Sequence, residues 1–598
     1  MRMQMFALDR WEIIMIYQRT VRVLYINMER QKIKIKERDD LNRYMGGVGI
    51  ASKLLEENMH KDLPPLHSAQ PIVLAIGPLS TIYPVITKAV AMFISPLTGE
   101  LGESYAGGRL ALSMFASGYD AIVIYNKSER PVYLTISHND VSFRDARQIW
   151  GTNKDNVGRI IRFEDRDHSG KRSIIRIGPA GENQVSYACV TVDRYRHFGR
   201  LGLGALFGSK NLKAINLIGD REIPIENFGQ YFKVYRRIYD ICAHSDTMAK
   251  YHDVGTPINV KPLNAAGGLP TLNLRQNRFE HADEISGETF SSVHQTRKLA
   301  CAGCPVGCIH IGQFRREFAE TGHEYETINV GYDYELIFAL GSNLGIKSPK
   351  EILELIEEVE IVGLDAMSTG VALAWATEAL ENGIVSEKET LLPLKFGSYK
   401  EYLDAIHYIA KAKNEFYINL GRGVRHAASV YGGEDYAMHI AGNEMPGYHT
   451  GYGSLVGVAV GARHSHLDNG GYAIDQELKP VDVDEIVDRL LSEEIERCML
   501  NSLIICLFAR KVYDRQTIID AFTAIGVPMT EDELTAVSKR AYATKLRIKK
   551  ALGFDLKDIQ FPKRFFKTPT IGGVMDENIA REILMKYREK VEELERYE

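Results

Sequence analysis

The chain is 598 residues long, enough for about four domains of ordinary size or for one large multi-domain enzyme with a substantial core. Apolar residues make up 45% and charged residues 25%, the proportions of a soluble globular protein, which excludes disordered, collagen-like and coiled-coil readings. Lysine and arginine number 73 against 78 acidic residues, and the resulting net charge of -5 offers no overall basic surface to a nucleic-acid backbone, so nucleic acid is not an expected partner.

No uninterrupted stretch of about 18 apolar residues is present, and the N-terminus lacks a charged start leading into an apolar run and a small-residue cleavage site. The expectation is a cytoplasmic protein with no membrane partner. Met1 to Ile14 mixes Asp9, Arg10, Trp11 and Glu12 with apolar residues, and Met15 opens a cleaner strand-like run, so either Met1 or Met15 is the true start. From Thr20 to Lys36 the sequence alternates around Val21, Val23, Tyr25 and Asn27 and then Ile33 and Ile35, which predicts two strands joined by a polar turn near Glu29 and Arg30. A helical stretch is expected over Asp40 to Asn58, with strand-like runs at Pro71 to Ile76, Tyr119 to Tyr125, Pro131 to Ile136 and Ser173 to Ile177. Glycines gather between strands at Gly99, Gly102, Gly107 and Gly108 and again at Gly199, Gly202, Gly204 and Gly208, where backbone is kept bare.

Beyond Gly219, Arg221 to Ile225 reads as a linker into a helix starting near Ile225 or Glu226, and helical periodicity then dominates, as over Lys350 to Val362 and Gly370 to Asn382. A weaker boundary falls at Gly432 and Gly433. After the glycine-rich stretch from Gly447 to Gly471 the chain reads as helical to Glu598, with Lys586 to Glu598 a solvated charged helix. The expected fold class is α+β, with a strand-rich N-terminal domain over residues 1–220 and two mainly helical domains over 221–430 and 431–598.

Three of the 7 cysteines crowd into Cys301-Ala-Gly-Cys304-Pro-Val-Gly-Cys308, where small residues and Pro305 let three thiolates converge. Thiolates are soft ligands suited to an iron–sulfur cluster or to zinc. Closed zinc sites usually show a second local pair, so a cluster is favoured over a zinc site or a trio of core cysteines. A cubane needs a fourth thiolate. Cys506, read as lying inside an apolar helix, supplies it if the domains pack together, and Cys498 is its competitor. Cys189 and Cys242 read as packing residues. The array Gly199-Arg-Leu-Gly202-Leu-Gly204-Ala-Leu-Phe207-Gly208 fails the dinucleotide spacing because Phe207 holds the third glycine position. What remains, Arg194, Arg196 and Arg200 beside bare amides, suits a cofactor phosphate, or equally a tight turn with solvent-facing arginines. Glu335 enters an otherwise apolar helix, where burial would raise its pKa toward that of a general acid or base; the alternative is a capped helix start. His464 and His466 alternate on an extended segment and point to opposite sides, so they do not share one metal and at most one is catalytic.

Together these pieces resemble the aldehyde:ferredoxin oxidoreductase family, tungsten enzymes with a bis-pyranopterin cofactor beside one 4Fe–4S cluster. The likeness runs almost end to end: Gly46-Gly47-Val-Gly49, Gly77-Pro78-Leu79, Ser95-Pro96-Leu97-Thr98-Gly99, Ala106-Gly107-Gly108 with Gly118-Tyr119-Asp120, Ile177-Gly178-Pro-Ala-Gly181-Glu182-Asn183 and Gly208 to Ile215, then Cys301 to Cys308, Ala339 to Gly345, and Gly363-Leu364-Asp365 with Ser368-Thr369-Gly370. The resemblance implies that the first domain is a base on which the cofactor lies, with the two helical domains closing over it, and that the tungsten or molybdenum takes no ligand from the protein. Cys301, Cys304, Cys308 and Cys506 then fall on the cluster ligands, Lys88 where the family has an arginine beside cofactor and cluster, and Arg196 on a basic residue of the phosphate-binding loop that includes Gly107, Gly108 and Gly199. The two pterin-binding motifs fall on Glu360-Ile-Val-Gly363-Leu364-Asp365 and Asn501-Ser-Leu-Ile504-Ile505-Cys506, and Glu335 and His466 on the pair proposed to handle the proton.

The departures surround the cofactor and substrate. The second pterin motif has Asn501 for Asp and Ile504 for Gly, Asp468 stands for a lysine, and Tyr105 and Phe198 replace small or amide residues near the phosphates. Phe198 can still offer its carbonyl to a magnesium bridging the pterin phosphates, because a main-chain ligand is indifferent to the side chain. Tyr105 cannot replace an amide carbonyl. An Asp-Pro-Arg sequence reads Gly447-Tyr448-His449, and a Glu-x-x-His motif that binds an interface iron reads Glu354-Leu-Ile-Glu357. The expected activity is oxidation of an aldehyde to a carboxylic acid, with electrons passed through the cluster to ferredoxin or a ferredoxin-like subunit, with a homodimer as the candidate assembly. The alternatives are the catalytic subunit of a larger complex reducing an aromatic or carboxylic substrate, and an electron-relay protein holding only the cluster.

Overall fold

The computed structural model describes residues 20–222, 225–317, 324–477 and 480–597, so the question of Met1 or Met15 as the start lies outside the described residues. β1 (Val21–Asn27) and β2 (Lys32–Arg38) form the expected hairpin, with Val21 opposite Arg38 and Asn27 opposite Lys32. β2 is an edge strand whose Lys32, Lys34 and Lys36 face solvent while Ile33 and Ile35 turn inward, a charge pattern that discourages pairing with another chain. β3 (Ile72–Ala75), β4 (Ala89–Ile94), β5 (Leu101–Ala106) and β6 (Ala121–Tyr125) complete a sheet of order β2-β1-β6-β3-β4-β5. β7 (Val132–Ser137), β8 (Asp140–Asp145), β9 (Lys171–Arg176), β10 (Val190–Val192), β11 (Arg196–Phe198) and β12 (Leu212–Gly219) build a second, of order β11-β10-β9-β12-β7-β8. Each sheet has one parallel pair, β1 with β6 and β7 with β12.

The central strands are apolar on both faces because each face meets a different core. Leu24, Ile26, Ile72, Leu74, Ile122 and Ile124 pack with Leu134, Ile136, Ile175, Ile215 and Leu217 of the second sheet. Their sequence neighbours Val23, Tyr25, Val73, Ala75 and Val123, turned to the opposite face by the period-2 geometry of a strand, join the larger core shared with the helices.

The expected helix over Asp40 to Asn58 is divided. A 3-10 turn spans Asp39–Tyr44, Met45 takes a positive φ of 64°, and only then does α1 (Gly47–Asn58) begin. α2 (Leu203–Ser209) follows the arginine loop. α3 (Phe228–His244) starts later than Ile225 or Glu226 because Asn227 caps it, accepting from the Gln230 N–H at 3.0 Å. The region after Gly219 is mainly helical but holds an antiparallel sheet of β13 (Gln295–Leu299), β14 (Ile309–Glu317) and β15 (Tyr325–Tyr332) that is absent from the expected elements. β13 reads Gln-Thr-Arg-Lys-Leu and is half exposed, so no apolar run marks it. α4 (Tyr334–Leu340), α5 (Pro349–Val362) and α6 (Ala366–Glu381), buried from Met367 to Ala379, come next. The last part carries α7 (Tyr452–Val460), α8 (Val483–Ser502), α9 (Arg515–Ala524), α10 (Glu531–Ala551) and α11 (Glu577–Leu594). Among the described residues no helix is long and apolar enough to cross a membrane.

Two turns from the helical part rest directly on backbone of the sheets. A Cβ at Gly77, after β3, would lie 2.7 Å from the Leu503 carbonyl oxygen, and one at Gly178, after β9, 2.4 Å from that of Val362. The second turn is also stitched in place, Asp365 N–H donating to Tyr187 O at 3.0 Å and Cys189 N–H to Gly363 O at 2.9 Å. A side chain at either glycine would lift the turn off the sheet. Gly178→Ala is therefore expected to lower stability by about 1–3 kcal/mol, read as a fall in the urea midpoint at unchanged slope.

Candidate active site

The cysteine motif folds as a loop between β13 and β14, and the thiols of Cys304, Cys308 and Cys506 share one apolar cluster with Ile505, Val306 and Cys242. Cys304 lies within electrostatic range of Cys301, Cys308 and Cys506, so the four converge. Cys506 does not sit inside a helix as expected: α8 ends at Ser502, and Cys506 is extended, its N–H donating to Val85 O at 3.1 Å. That link ties the fourth thiol to the loop before Lys88. Cys498 stays behind in α8, buried, its thiol raised by burial to about 12. Four converging thiols are soft ligands of the kind an iron–sulfur cluster takes.

The first sheet meets this loop at bare backbone. A Cβ on Gly107 would lie 2.7 Å from Cys301 Sγ and 3.3 Å from Lys88 Nζ, and the Gly108 N–H donates to the same sulfur at 3.2 Å. Burial raises the Cys301 thiol, but Lys88, Arg196 and that N–H outweigh it and bring it below the usual value. Burial instead drives Cys304 to about 12 and Cys308 to about 11. Lys88 shows the complement: burial pulls it down, and the thiols of Cys506, Cys301 and Cys308 push it above normal.

Glu335, in the first turn of α4, and His466, in the loop after α7, face each other with His466 Nε2 3.2 Å from Glu335 Oε1. Glu335 Oε2 accepts from the Gly447 N–H at 3.0 Å. Burial raises the Glu335 carboxyl to about 8, against that hydrogen bond, and burial with Arg200, Arg463 and Arg497 lowers His466 to about 3. At neutral pH both groups are uncharged. The helix is capped two residues before Glu335 by Asp333, which accepts from the Glu335 N–H at 3.1 Å, so Glu335 is not itself the cap. His464 turns the other way, to Glu100 at 3.1 Å. An aromatic wall stands beside the pair: Tyr448 lies 5.1 Å from Tyr334, 5.1 Å from His466 and 4.7 Å from Tyr472.

Around the pair and the arginine loop several buried polar atoms are left unanswered. Arg196 Nε, Arg200 Nη1, His197 Nε2 and His466 Nδ1 are all buried with no hydrogen-bond partner in the protein, and Glu335 Oε1 faces only His466. A Cβ at Gly199 would meet no atom within 4 Å, and one at Gly108 nothing closer than Asp193 Oδ2 at 3.7 Å. Orphaned donors around open space need an outside partner, and a large polyanionic cofactor fits that requirement. Of the pterin-motif residues, Glu360 is buried against Lys154 at 3.4 Å, its carboxyl raised by burial. Asp365 is occupied internally, capping α6 through Met367 and Ser368 and receiving Arg200 Nε at 3.1 Å. Gly363, with a positive φ of 81°, and buried Leu364 form the first turn; Asn501 and Ile505 are buried at the second. Ile504, where the resembling motif has glycine, keeps a positive φ of 62°, a strained conformation for a β-branched residue. Phe198 is buried in β11.

Tyr105 and Asp468 belong to a buried charge network that the sequence does not reveal. Asp468 pairs with Arg463 at 2.5 Å, Arg463 lies 4.9 Å over the Tyr105 ring, the Tyr105 hydroxyl donates to Glu103 at 2.5 Å, and Glu103 meets Lys545 at 2.6 Å. Beside it Glu100 meets Lys549 at 2.8 Å; burial would raise this carboxyl, and Lys549 and His464 bring it down to about 2. Lys154, Arg463, Lys545 and Lys549 come from segments with no motif, and nothing local distinguishes them from surface cations.

Family models for the aldehyde ferredoxin oxidoreductase N-terminal domain and for its domains 2 and 3 match residues 23–219 and 233–593. The chain is 30% identical to the tungsten-containing aldehyde ferredoxin oxidoreductase of Pyrococcus furiosus over 95% of both proteins. It is 30% identical to the protein of the same name from Thermococcus kodakarensis, over 96% of this chain and 98% of that one. It is 28% identical to the aliphatic sulfonate oxidoreductase, WOR-like subunit, of Pyrococcus furiosus over 70% of each. Among solved structures, the active site complex BamBC of benzoyl coenzyme A reductase with 1,5-dienoyl-CoA aligns over 97% of both chains with a TM-score of 0.81 at 20% identity, a likeness of fold. The chain belongs to the aldehyde ferredoxin oxidoreductase family of tungsten–pterin oxidoreductases, as a divergent member. If the hollow at Gly199 holds the cofactor, Gly199→Leu is expected to keep the urea midpoint within about 0.5 kcal/mol of the parent while pterin and metal content fall several-fold, measured by pterin oxidation and elemental analysis.

Proposed function

We propose that the chain oxidises an aldehyde to its carboxylic acid and passes the electrons to ferredoxin or a ferredoxin-like subunit. The observation that carries this is the buried, uncharged Glu335 and His466 pair, with His466 Nδ1 left unpartnered toward the arginine-lined hollow. Cys301, Cys304, Cys308 and Cys506 would hold a 4Fe–4S cluster. Arg196 with Gly107, Gly108 and Gly199 would take the phosphates of a bis-pyranopterin, the turns at Glu360 to Asp365 and Asn501 to Cys506 its two edges, and Lys88 the side facing the cluster. The Phe198 carbonyl would serve a bridging magnesium, to which Tyr105, committed to Glu103, adds nothing. When bound, the tungsten or molybdenum cofactor supplies the two-electron oxidation and the cluster the one-electron relay.

The protein's own part is to orient the substrate and move protons. Glu335, ionised, takes a proton from water or the aldehyde hydrate, and His466 donates a hydrogen bond to the substrate oxygen. Retention of this pair argues against the cluster-only relay. The same site run toward reduction, as the catalytic subunit of a larger complex, is the second reading, favoured by relatives named as a subunit and as an active site complex.

Elemental analysis of protein purified without oxygen is expected to give about one tungsten or molybdenum and four irons per chain; four irons alone, from a host that makes the cofactor, would leave the relay reading. Because the base must be ionised and burial holds its pKa near 8, kcat/KM should climb with pH and level off above about 8. Glu335→Gln should lose about 10²–10⁴ of the rate and flatten that limb, and a fully active variant would remove Glu335 from the role.

A further inference from the structure

Two acids buried behind the arginine loop share one hydroxyl. Ser368, in the first turn of α6, has its Oγ 2.6 Å from Asp365 Oδ2 and 2.7 Å from Glu444 Oε2, and all three side chains are buried. A serine hydroxyl has one hydrogen, so it donates to one of these oxygens and must accept a hydrogen from the other. If both acids were ionised, one contact would set lone pair against lone pair at hydrogen-bond distance, in a place closed to solvent.

The neighbours say which acid keeps the proton. Asp365 Oδ1 accepts from the Met367 N–H at 3.1 Å, and its Oδ2 accepts from the Ser368 N–H at 3.3 Å and from Arg200 Nε at 3.1 Å. Two N–H groups at a helix start and a guanidinium favour the ionised form. Glu444 closes the strand pair His439–Ile440 and Asn443–Glu444, and besides Ser368 its carboxyl meets only the Val424 N–H, at 3.1 Å on Oε1. Arg200 reaches it at the main chain, Nη2 donating to Glu444 O at 2.8 Å. Tyr187 and His439, the other titratable groups beside it, bring no charge, because burial lifts the phenol well above its usual value and lowers the imidazole to about 3. Burial likewise raises Glu444, against the pull of Ser368 and Arg200.

We propose that Glu444 stays protonated in the folded protein and donates to Ser368, which donates to Asp365, so that this chain sets the aim of Arg200. Glu444 is then a positioning residue that acts on the site through the guanidinium. Arg200 has Nε on Asp365 and Nη2 on the Glu444 carbonyl, and its remaining Nη1 is buried without a partner. Its charge acts on both members of the acid–base pair, opposing the rise that burial gives Glu335 and adding to the fall that burial gives His466. Loss of the Glu444 proton would set a second negative charge beside Asp365 and draw the guanidinium off that line. None of this depends on which substrate is oxidised.

The test compares anaerobically purified parent with Glu444→Gln, Glu444→Asp, Asp365→Asn and Ser368→Ala. A glutamine amide reproduces a protonated glutamate, its carbonyl accepting from Val424 and its NH2 donating to Ser368. Glu444→Gln is therefore expected to keep the parent's metal and pterin content, whereas Asp365→Asn, which removes the charge holding Arg200, should lose both several-fold. Infrared difference spectra at neutral pH read the proton itself. Parent minus Glu444→Gln should show the C=O stretch of a protonated carboxyl that moves in D2O, and parent minus Asp365→Asn only the bands of an ionised carboxylate. Where the glutamine variant does not fold, Ser368→Ala reads the same bond, since a protonated Glu444 deprived of its acceptor shifts that stretch to higher frequency. The proposal is overturned by carboxylate bands in the Glu444→Gln difference, by a protonated band that disappears with Asp365→Asn, or by metal lost in Glu444→Gln and kept in Glu444→Asp. An unmoved stretch in Ser368→Ala overturns it equally.

Discussion

Backbone must touch backbone for this molecule to have a site at all. The turn at Val362 and Gly363 lies on Gly178 of one sheet, and the turn at Asn501 to Leu503 lies on Gly77 of the other. Each turn follows a helix, α5 or α8, and leads into functional side chains, Asp365 in the first case and Cys506 in the second. The sheets cannot reach those residues through side chains without pushing the turns outward, which is why both contacts fall on glycine. Once the turns are seated, the hollow between them is bounded below by the arginine loop at β11 and on one side by the cysteine loop. The helical part thus contributes edges, and the sheets contribute a floor.

Burial then sets the chemistry. Enclosure removes water from Glu335 and His466, and without a compensating charge each is driven to its neutral form. The same enclosure leaves Arg196 and Arg200 with unanswered N–H groups, because arginine cannot neutralise itself. One cavity therefore holds an acid–base pair that has relaxed to neutrality and a set of cations that cannot. Their difference is what makes the hollow selective for an anion at one end and reactive toward protons at the other. Cys301 reports the boundary between the two regions, since Lys88 and Arg196 hold it below its usual value while Cys304 and Cys308, farther from them, are raised.

Much of this was legible in the sequence because it depends on local pattern. The β1 and β2 hairpin, the strand-rich first part and the Cys301 to Cys308 loop follow from period and spacing, and ordered motifs gave the family. The failures have physical causes. β13 pairs through a polar, half-exposed strand whose stability comes from its neighbours, so no window of sequence carries it, whereas Ile309, Ile311 and Phe314 of β14 and the alternating Ile328, Val330 and Tyr332 of β15 are a strand signal that was passed over. Cys506 was read into a helix because Leu503, Ile504 and Ile505 continue the apolar pattern of α8, whereas the chain leaves the helix at Ser502 and Ile504 turns left-handed. Propensity argued for helix there, and the seat on Gly77 overruled it.

The substitutions around the hollow support divergence over decay. A buried aspartate would be ruinous alone, since an unpaired buried carboxylate costs several kcal/mol. Asp468 is not alone: Arg463 meets it, Arg463 in turn covers Tyr105, and Tyr105 is held by Glu103, whose charge Lys545 balances. Every member has its partner, so the buried charges and the ring form one matched network. A site losing its function has no reason to accumulate matched buried charges, because random replacements leave orphans. In that network Glu103 Oε2 is answered by the Lys545 charge at 2.6 Å, whereas Arg196 Nε, Arg200 Nη1 and His466 Nδ1 are buried with no hydrogen-bond partner. Matched charges behind and unanswered nitrogens in front make the network a support for the face that Glu335 and His466 present.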